Sequence, residues 1–187
     1  MGKTLVINLE DINLKGDVLD VGQENFGVIY SISKEVEAEL SLDYVFSNDK
    51  EGLEGSEYDA CTLFFNLNRF WSNIEKEKLI KEINSYIKEN GEILIWDINK
   101  ERGKLFNNKI RVILPKGKVK EFTFKNLNPI ISSNVEDIKK ILLKYFDIEE
   151  IKVWEDMFFI RAKKLKNEIN SKEVEETNTN EDITYSN

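Results

Sequence analysis

Histidine is absent from this chain of 187 residues. That single absence excludes Ser-His-Asp and Cys-His hydrolases, His-ligated zinc and ordinary imidazole acid–base chemistry. Cysteine is nearly absent too. Cys61 stands alone, so no intrachain disulfide can form and no secreted disulfide framework is expected. No run approaches the roughly 20 apolar residues that span a bilayer. The opening MGKTLVINLEDIN lacks the apolar core and cleavage pattern of a signal peptide. A phosphate loop of the GxxxxGK type is also missing, which weakens a nucleotide-binding reading. Cationic excess is missing as well: the formal net charge is −8, which argues against generic binding to nucleic acid or acidic membrane. No metal site is expected, and the expected compartment is the cytoplasm.

What is present is ordinary for a globular protein, with 33% charged and 41% hydrophobic residues. The length suits one domain able to bury a core without staples. The chain is organised around Gly16 to Ser33, GDVLDVGQENFGVIYSIS. Asp17 to Val21 is a short apolar run ending at Gly22, and Gly27 opens a second run, Val28-Ile29-Tyr30, that closes in Ser31-Ile32-Ser33. Short runs of this kind bounded by glycine are read as two buried strands. A glycine at the carboxyl end of a strand allows a sharp turn and the close approach of a ligand. In open α/β sheets, ligands bind at that edge.

Further along, Lys34 to Leu40 suits a short helix capped by Ser33. Leu42 to Phe46 is a strand candidate, followed by a polar loop through Gly55. Tyr58 to Leu67, YDACTLFFNL, is read as a central strand with its exit. Ile74 to Lys88 has helical periodicity, with Ile74, Leu79, Ile83 and Ile87 near one face, and Asn90-Gly91 stops it. Glu92 to Ile98 is another buried strand. Between Asn99 and Asn128 nine lysines and arginines face only two acids, Glu101 and Glu121. There Ile110 to Leu114 and Val119 to Phe124 read as a hairpin turning at Pro115-Lys116-Gly117. Asn134 to Phe146 is a second helix, capped by Ser133 or Asn134. Ile148 to Val153 and Met157 to Ala162 close the pattern as two strands. From Lys166 onward the polar, acidic sequence has no apolar periodicity and reads as a disordered tail, leaving 1–165 as the folded domain with a basic insert at about 100–128.

VLDVG followed by IYSIS resembles the first two strands of the class I S-adenosylmethionine (SAM)-dependent methyltransferases. YDACTLFFNLNRFW, a helix and then NGEILIWDIN resemble that family's fourth strand, following helix and fifth strand. The resemblance runs from about Gly16 to Ile98. It implies an α/β, Rossmann-like sheet of seven strands, mostly parallel, with an antiparallel C-terminal edge. Only Gln23 to Phe26 separate the two opening strands, so the first crossover helix is expected to be reduced or absent. The family's first motif is degenerate here. Asp20 and Gly22 match it, whereas Glu24 stands where the second glycine belongs, and Ser31 stands where an acid would meet the ribose hydroxyls.

By the same resemblance, Asp20, Gly22 and Gln23 approach the methionine part of SAM. Asp49 takes the position that meets the adenine amino group, or is simply a turn residue in SNDKEG. Leu63 and Phe64 flank the cofactor, or are simply core. Asn66, Asn68 and Arg69 are the polar groups nearest that strand's exit. Tyr58, Trp71 and Trp96 are candidates for stacking on an adenine or acceptor ring, or for packing. The basic insert is the acceptor-side feature, able to hold an anionic small molecule or the acidic tail, or is a solvated hairpin. No spacing selects a catalytic base. The implied function is SAM-dependent methyl transfer to a small-molecule or protein acceptor. The alternative is a methyltransferase-like domain that has lost SAM binding and serves as an interaction or assembly subunit, with a protein partner or a second copy of itself.

Overall fold

The computed structural model describes residues 2–22, 26–35, 40–45 and 57–166. Along the chain run β1 (Thr4–Asn8), β2 (Gly16–Val21), α1 (Val28–Ser33), β3 (Leu40–Val45), β4 (Tyr58–Phe64) and α2 (Asn73–Tyr86). After these come β5 (Ile87–Ile98), β6 (Phe106–Ile113), β7 (Val119–Asn126), α3 (Val135–Leu142), β8 (Phe146–Trp154) and β9 (Met157–Lys164). Six strands form the main sheet in the order β3-β2-β4-β5-β9-β8. The pairs β2–β3, β2–β4 and β4–β5 are parallel, while β9 runs antiparallel to both β5 and β8. A parallel sheet with an antiparallel C-terminal edge is therefore present as expected. The expected seventh strand is not found among the described residues. Residues 23–25, 46–56 and 167–187, which include the tail, lie outside them.

The opening of the chain differs from its sequence reading. Val28 to Ser33 is helix, not strand. Gly27 adopts a left-handed backbone (φ 59°) that turns the chain into α1, and Val28, Ile29 and Ile32 are the residues it buries. Those positions sit one face of a helix apart, and over so short an apolar run helix and strand periodicities cannot be distinguished. Ser33 consequently ends a helix instead of capping one. The strand that pairs with β2 is β3, and the link from Gly22 to Gly27 joins a strand to a reduced crossover helix, as parallel pairing requires. Of the helix expected over Lys34 to Leu40, Lys34 and Glu35 form a turn and Leu40 already belongs to β3. The intervening residues 36–39 lie outside the described set.

Helix α2 begins at Asn73, one residue before the start read from periodicity. Ser72 accepts from the Glu75 amide while the Glu75 carboxylate accepts from the Ser72 amide, a reciprocal capping box. The buried face, however, is Lys76, Leu79, Ile80 and Ile83, and Ile74 is 80% exposed. The helix stops at Tyr86. Ile87 turns extended (φ −78°, ψ 133°) and opens β5, opposite Tyr58. Asn90 takes a positive φ of 66° within that strand, where the pairing with β4 shifts register. In α3 the Asn134 side chain accepts from the Asp137 amide at 2.9 Å, so Asn134 is the cap.

Alternation along the strands divides the core into two layers. Leu19, Val21, Cys61, Leu63, Ile93, Ile95, Phe158 and Ile160 face α2 and α3. Val18, Ala60, Phe64, Leu94, Trp96 and Phe159 face the opposite way. That second face is covered by α1 and by a three-stranded sheet ordered β1-β6-β7, in which β1 is parallel to β6. The basic hairpin is thus real, with β6 and β7 antiparallel about a turn at Pro115–Gly117, and β1 completes it. Among the described residues no helix is long and apolar enough to cross a membrane, and no group of three or more acidic or thiol side chains could hold a metal ion.

Candidate functional site at the carboxyl edge of β2 and β4

Strands β2 and β4 are parallel neighbours whose onward connections leave on opposite faces of the sheet, β2 toward α1 and β4 toward α2. Such a divergence opens a crevice beyond the strand ends, which is where α/β sheets hold ligands. Gly22 lies at this edge. A Cβ placed there would make an ordinary contact with the Asn66 side chain at 3.8 Å and clash with no described residue. Asn66 leaves β4 just after Phe65, which has a positive φ of 54°, and its side-chain amide donates to the Val21 carbonyl at 3.2 Å. The two strand ends are tied together directly under the crevice.

Asp20 is fully buried, and the Thr62 hydroxyl of β4 donates to it at 2.8 Å. Ser31 does not sit at a strand end. It lies in α1, where its hydroxyl donates to the Gly27 carbonyl at 2.6 Å. Leu63 and Phe64 are buried on opposite faces, Leu63 against the helices and Phe64 among Phe65, Trp96 and Phe122. Gln23, Glu24 and Asp49 lie outside the described residues. Of the aromatic candidates, Trp96 is buried and stacked on Phe159, and Trp71 is exposed. Tyr58 is at the other end of β4, donating its hydroxyl to Asp43, and burial pushes that phenol's pKa upward. The structure therefore brings Asp20, Gly22, Asn66 and the Asn68–Arg69 turn to one edge.

Beside this edge lies a cleft of about 590 Å³, bounded by Phe26 after β2, by Asn68 and Arg69 after β4, and by β7 from Thr123 onward. Several contacts that fix its walls were not singled out in the sequence. Phe26 stacks on Phe122 with ring centroids 4.0 Å apart and planes 6° from parallel. Lys120 donates to the Gly27 carbonyl at 3.1 Å, holding the start of α1 against β7. Behind Asn68, Asp97 is buried at the end of β5 and accepts from the Asn68 amide at 3.0 Å. It also accepts from the Asn68 side chain and the Ile98 amide, both at 2.7 Å. Burial pushes its pKa up to about 6 against the opposing pull of these donors.

Two buried lysines brace the loop of residues 128–132, part of which lines the cleft. Lys76 donates to the Ser132 carbonyl at 2.7 Å, and Lys100 donates to the carbonyls of Asn128 and Ile131. Burial lowers the pKa of both. They replace water around carbonyls of a loop that lies outside both sheets, which is what buried backbone acceptors require. Neither burial was legible in the sequence, since a lysine on a helix or in a basic insert reads as solvent-facing.

Sheet order and antiparallel edge are those of the Rossmann-like fold of the class I SAM-dependent methyltransferases, here with a reduced first crossover helix, bearing out at the level of fold the resemblance read from VLDVG and the elements after it. Solved structures with this fold superpose on most of the chain. An Aquifex aeolicus SAM-dependent methyltransferase is 16% identical over 84% of this chain and 87% of its own, with a TM-score of 0.57. SAM-bound CalS10 of Micromonospora echinaspora, an amino pentose methyltransferase, is 11% identical over 81% and 84%, with a TM-score of 0.55. The Burkholderia thailandensis 1,6-didemethyltoxoflavin-N1-methyltransferase, solved with its namesake ligand and S-adenosylhomocysteine, is 12% identical over 81% and 72%, again at 0.55. No protein-family model and no curated protein sequence matches the chain.

Proposed function

We propose that the chain binds S-adenosylmethionine at the carboxyl edge of β2 and β4 and transfers its methyl group to a small molecule held in the adjoining cleft. The observation that carries this reading is the switch point at Gly22, where the two strands end together and the nearest described side chain, Asn66, would stand 3.8 Å from an added Cβ. The described half of the cradle fits the cofactor: a glycine that permits close approach, a buried carboxylate at Asp20, and a strand end fixed by Asn66. When bound, the cofactor supplies a methyl group on a sulfonium, which departs from a neutral thioether. The chain's residues then have positioning as their task, and positioning supplies much of the rate in such a displacement. Gln23 and Glu24 follow Gly22 and are assigned to the same loop. Ser31, which is in α1, does not stand at the strand end that a ribose contact requires, and Asp49 keeps its assignment on the adenine side. Leu63 and Phe64 support the edge through packing. The cleft's volume falls in the range of small-ligand sites.

Calorimetric titration with S-adenosylhomocysteine tests this. Micromolar binding that weakens at least tenfold in Gly22→Val is expected, and the variant should stay folded because its Cβ has room. No heat at millimolar ligand, with far-ultraviolet dichroism intact, overturns the reading and leaves the non-catalytic scaffold.

A further inference from the structure

The asparagines in the wall of the cleft spend their hydrogen bonds within the wall itself. Asn68 donates its two amide hydrogens to the Phe65 carbonyl and to Asp97, at 2.8 and 2.7 Å. Asn126 gives its own two to Asn68, to the carbonyl at 2.9 Å and to the side-chain oxygen at 3.0 Å. The Asn126 oxygen accepts from the Asn128 amide at 3.4 Å, and the Asn128 side-chain oxygen from the Ile130 amide at 2.9 Å. Thr123 and Lys125 alternate with the buried Phe124 and Asn126, so they stand on the exposed side of β7. Phe26, Phe124, Leu127 and Ile131 supply the apolar lining. A ligand group that needs hydrogen bonds would exchange water for asparagines already engaged, whereas an apolar body loses nothing by entering.

Apolar surface continues outside the cleft. Trp71, Ile74, Leu105, Leu127 and Ile130 are each more than half exposed. They sit on the segments that follow β4, β5 and β7, and hydrogen bonds hold these segments together. Gly103 donates to the Pro129 carbonyl at 2.7 Å, and Asn126 reaches the Asn68 carbonyl. Lys76, near the start of α2, donates to the Ser132 carbonyl at 2.7 Å. Leu105 and Leu127 flank the last pair of the hairpin, Phe106 and Asn126. The exposed side chains therefore form a collar around the mouth of the cleft, with Leu127 belonging to both. Exposed apolar surface grouped in this way beside a cavity marks a binding surface.

We propose that the molecule taken by this cleft is a neutral, lipophilic small molecule, its body reaching from the cleft onto the collar of Trp71, Ile74, Leu127 and Ile130. Its role as methyl acceptor rests on the methyl-transfer reading; the apolar site itself does not. The occupant is a free molecule and not a bilayer, because the cleft has the volume of a small-ligand site and a chain of net charge −8 is repelled by an anionic surface.

The test is ligand-observed NMR titration of the full chain, with and without saturating S-adenosylhomocysteine. The probes are 1-butanol, 1-hexanol and 1-octanol, with octanoate and octylamine as charged counterparts. Affinity is expected to rise about fivefold for each two carbons added, and both charged probes to bind about tenfold more weakly than 1-octanol. Octanol should also move tryptophan emission to shorter wavelength. Trp71→Phe should remove that shift, because Trp96 is buried and Trp154 is held on the Val6 carbonyl. Ile74→Ser and Leu127→Ser should each weaken octanol binding about threefold and leave S-adenosylhomocysteine affinity unchanged, whereas Val153→Ser, on the edge strand β8, should alter neither. All three side chains are exposed, so the variants should fold. No detectable binding or equal affinity across the alcohols, a charged probe that binds as tightly as octanol, or octanol binding untouched by both serine variants overturns the proposal. Capture by phosphatidylcholine vesicles without binding of free octanol overturns it in favour of a bilayer. Octanol binding of the expected pattern without S-adenosylhomocysteine binding would instead sink the methyl-transfer reading and leave the apolar site standing.

Discussion

The two faces of the main sheet are covered by different means. On one, α2 and α3 lay aliphatic side chains such as Leu79, Ile80, Ile83, Ile138 and Leu142 over the strands. On the other, a second sheet faces the first, and the layer between them is rich in rings: Phe64, Phe65, Trp96, Phe106, Phe124 and Phe159, with Phe26 and Phe122 at the margin. Facing sheets stand about 10 Å apart, and flat side chains fill that interval without needing a curved partner. Helices need only local periodicity and caps, whereas the second sheet needs β1 to find β6 across the chain. The site lies where the two constructions meet, with Phe26 and β7 on the ring-filled side and Asn68 and Asp97 on the helical side.

The sharpest way to test this contrast is a pair of cavities. Phe64→Ala on the ring-filled face should cost about 3–5 kcal/mol and Ile80→Ala on the helical face about 2–5 kcal/mol in urea unfolding. Both should keep a single transition, because both layers share the same strands. A biphasic curve for Phe64→Ala alone would show the second sheet melting by itself, and the two faces would no longer be one cooperative unit.

Next in size is Asp97→Asn. Every partner of Asp97 is a donor, so a carboxamide must aim its own NH₂ at another N–H, at a cost of about 1–3 kcal/mol. The pH dependence has a definite sign. With its folded pKa raised, Asp97 keeps its proton in the folded state between its ordinary 3.8 and about 6, where the unfolded chain has already released it. Its contribution to stability is therefore lost as pH rises through that window, then levels off. Unfolding midpoints measured from pH 4 to pH 8 should show the wild-type advantage over Asp97→Asn narrowing up to about 6 and constant above it. A gap that widens with pH would mean the carboxylate is favoured in its pocket.

The smallest effect is expected for Ser72→Ala, which removes one half of the α2 capping box and should cost about 1 kcal/mol without altering either sheet. Near-ultraviolet dichroism from the ring-filled layer should be unchanged.

Legibility in the sequence followed the same division. β2, β4, β5, the hairpin and the closing strand pair could all be read from apolar runs and turn residues, and periodicity from Ile74 and from Asn134 announced the two longer helices. Val28 to Ser33 could not, because six residues hold too few periods to choose between helix and strand, and the deciding feature was the left-handed backbone at Gly27. Ile87 satisfied the helical pattern of α2 yet was claimed by pairing with Tyr58. At the site, Asp20 and Gly22 were visible as a strand end. Lys76, Lys100 and Asp97 were not, since a buried charge is recognisable only once its partners, 56 residues away for Lys76 and Ser132, are in place. The basic insert was visible as charge, but the pairing of Lys109 and Arg111 with Glu121 and of Lys118 with Glu35 was not.

The pairing of β1 has a consequence for the order in which the protein can assemble. Lys3 donates to Asn108 across 105 positions, and Thr4 pairs with Lys109. During synthesis the segment that becomes β1 leaves the ribosome long before its partner exists, so it must wait unpaired through the emergence of β2 to β5. Leu5 and Ile7, both buried in the finished protein, stay exposed for that interval. A delay of this kind slows folding and leaves an apolar strand open to the wrong partner. The part of the chain made early is among the last to be placed.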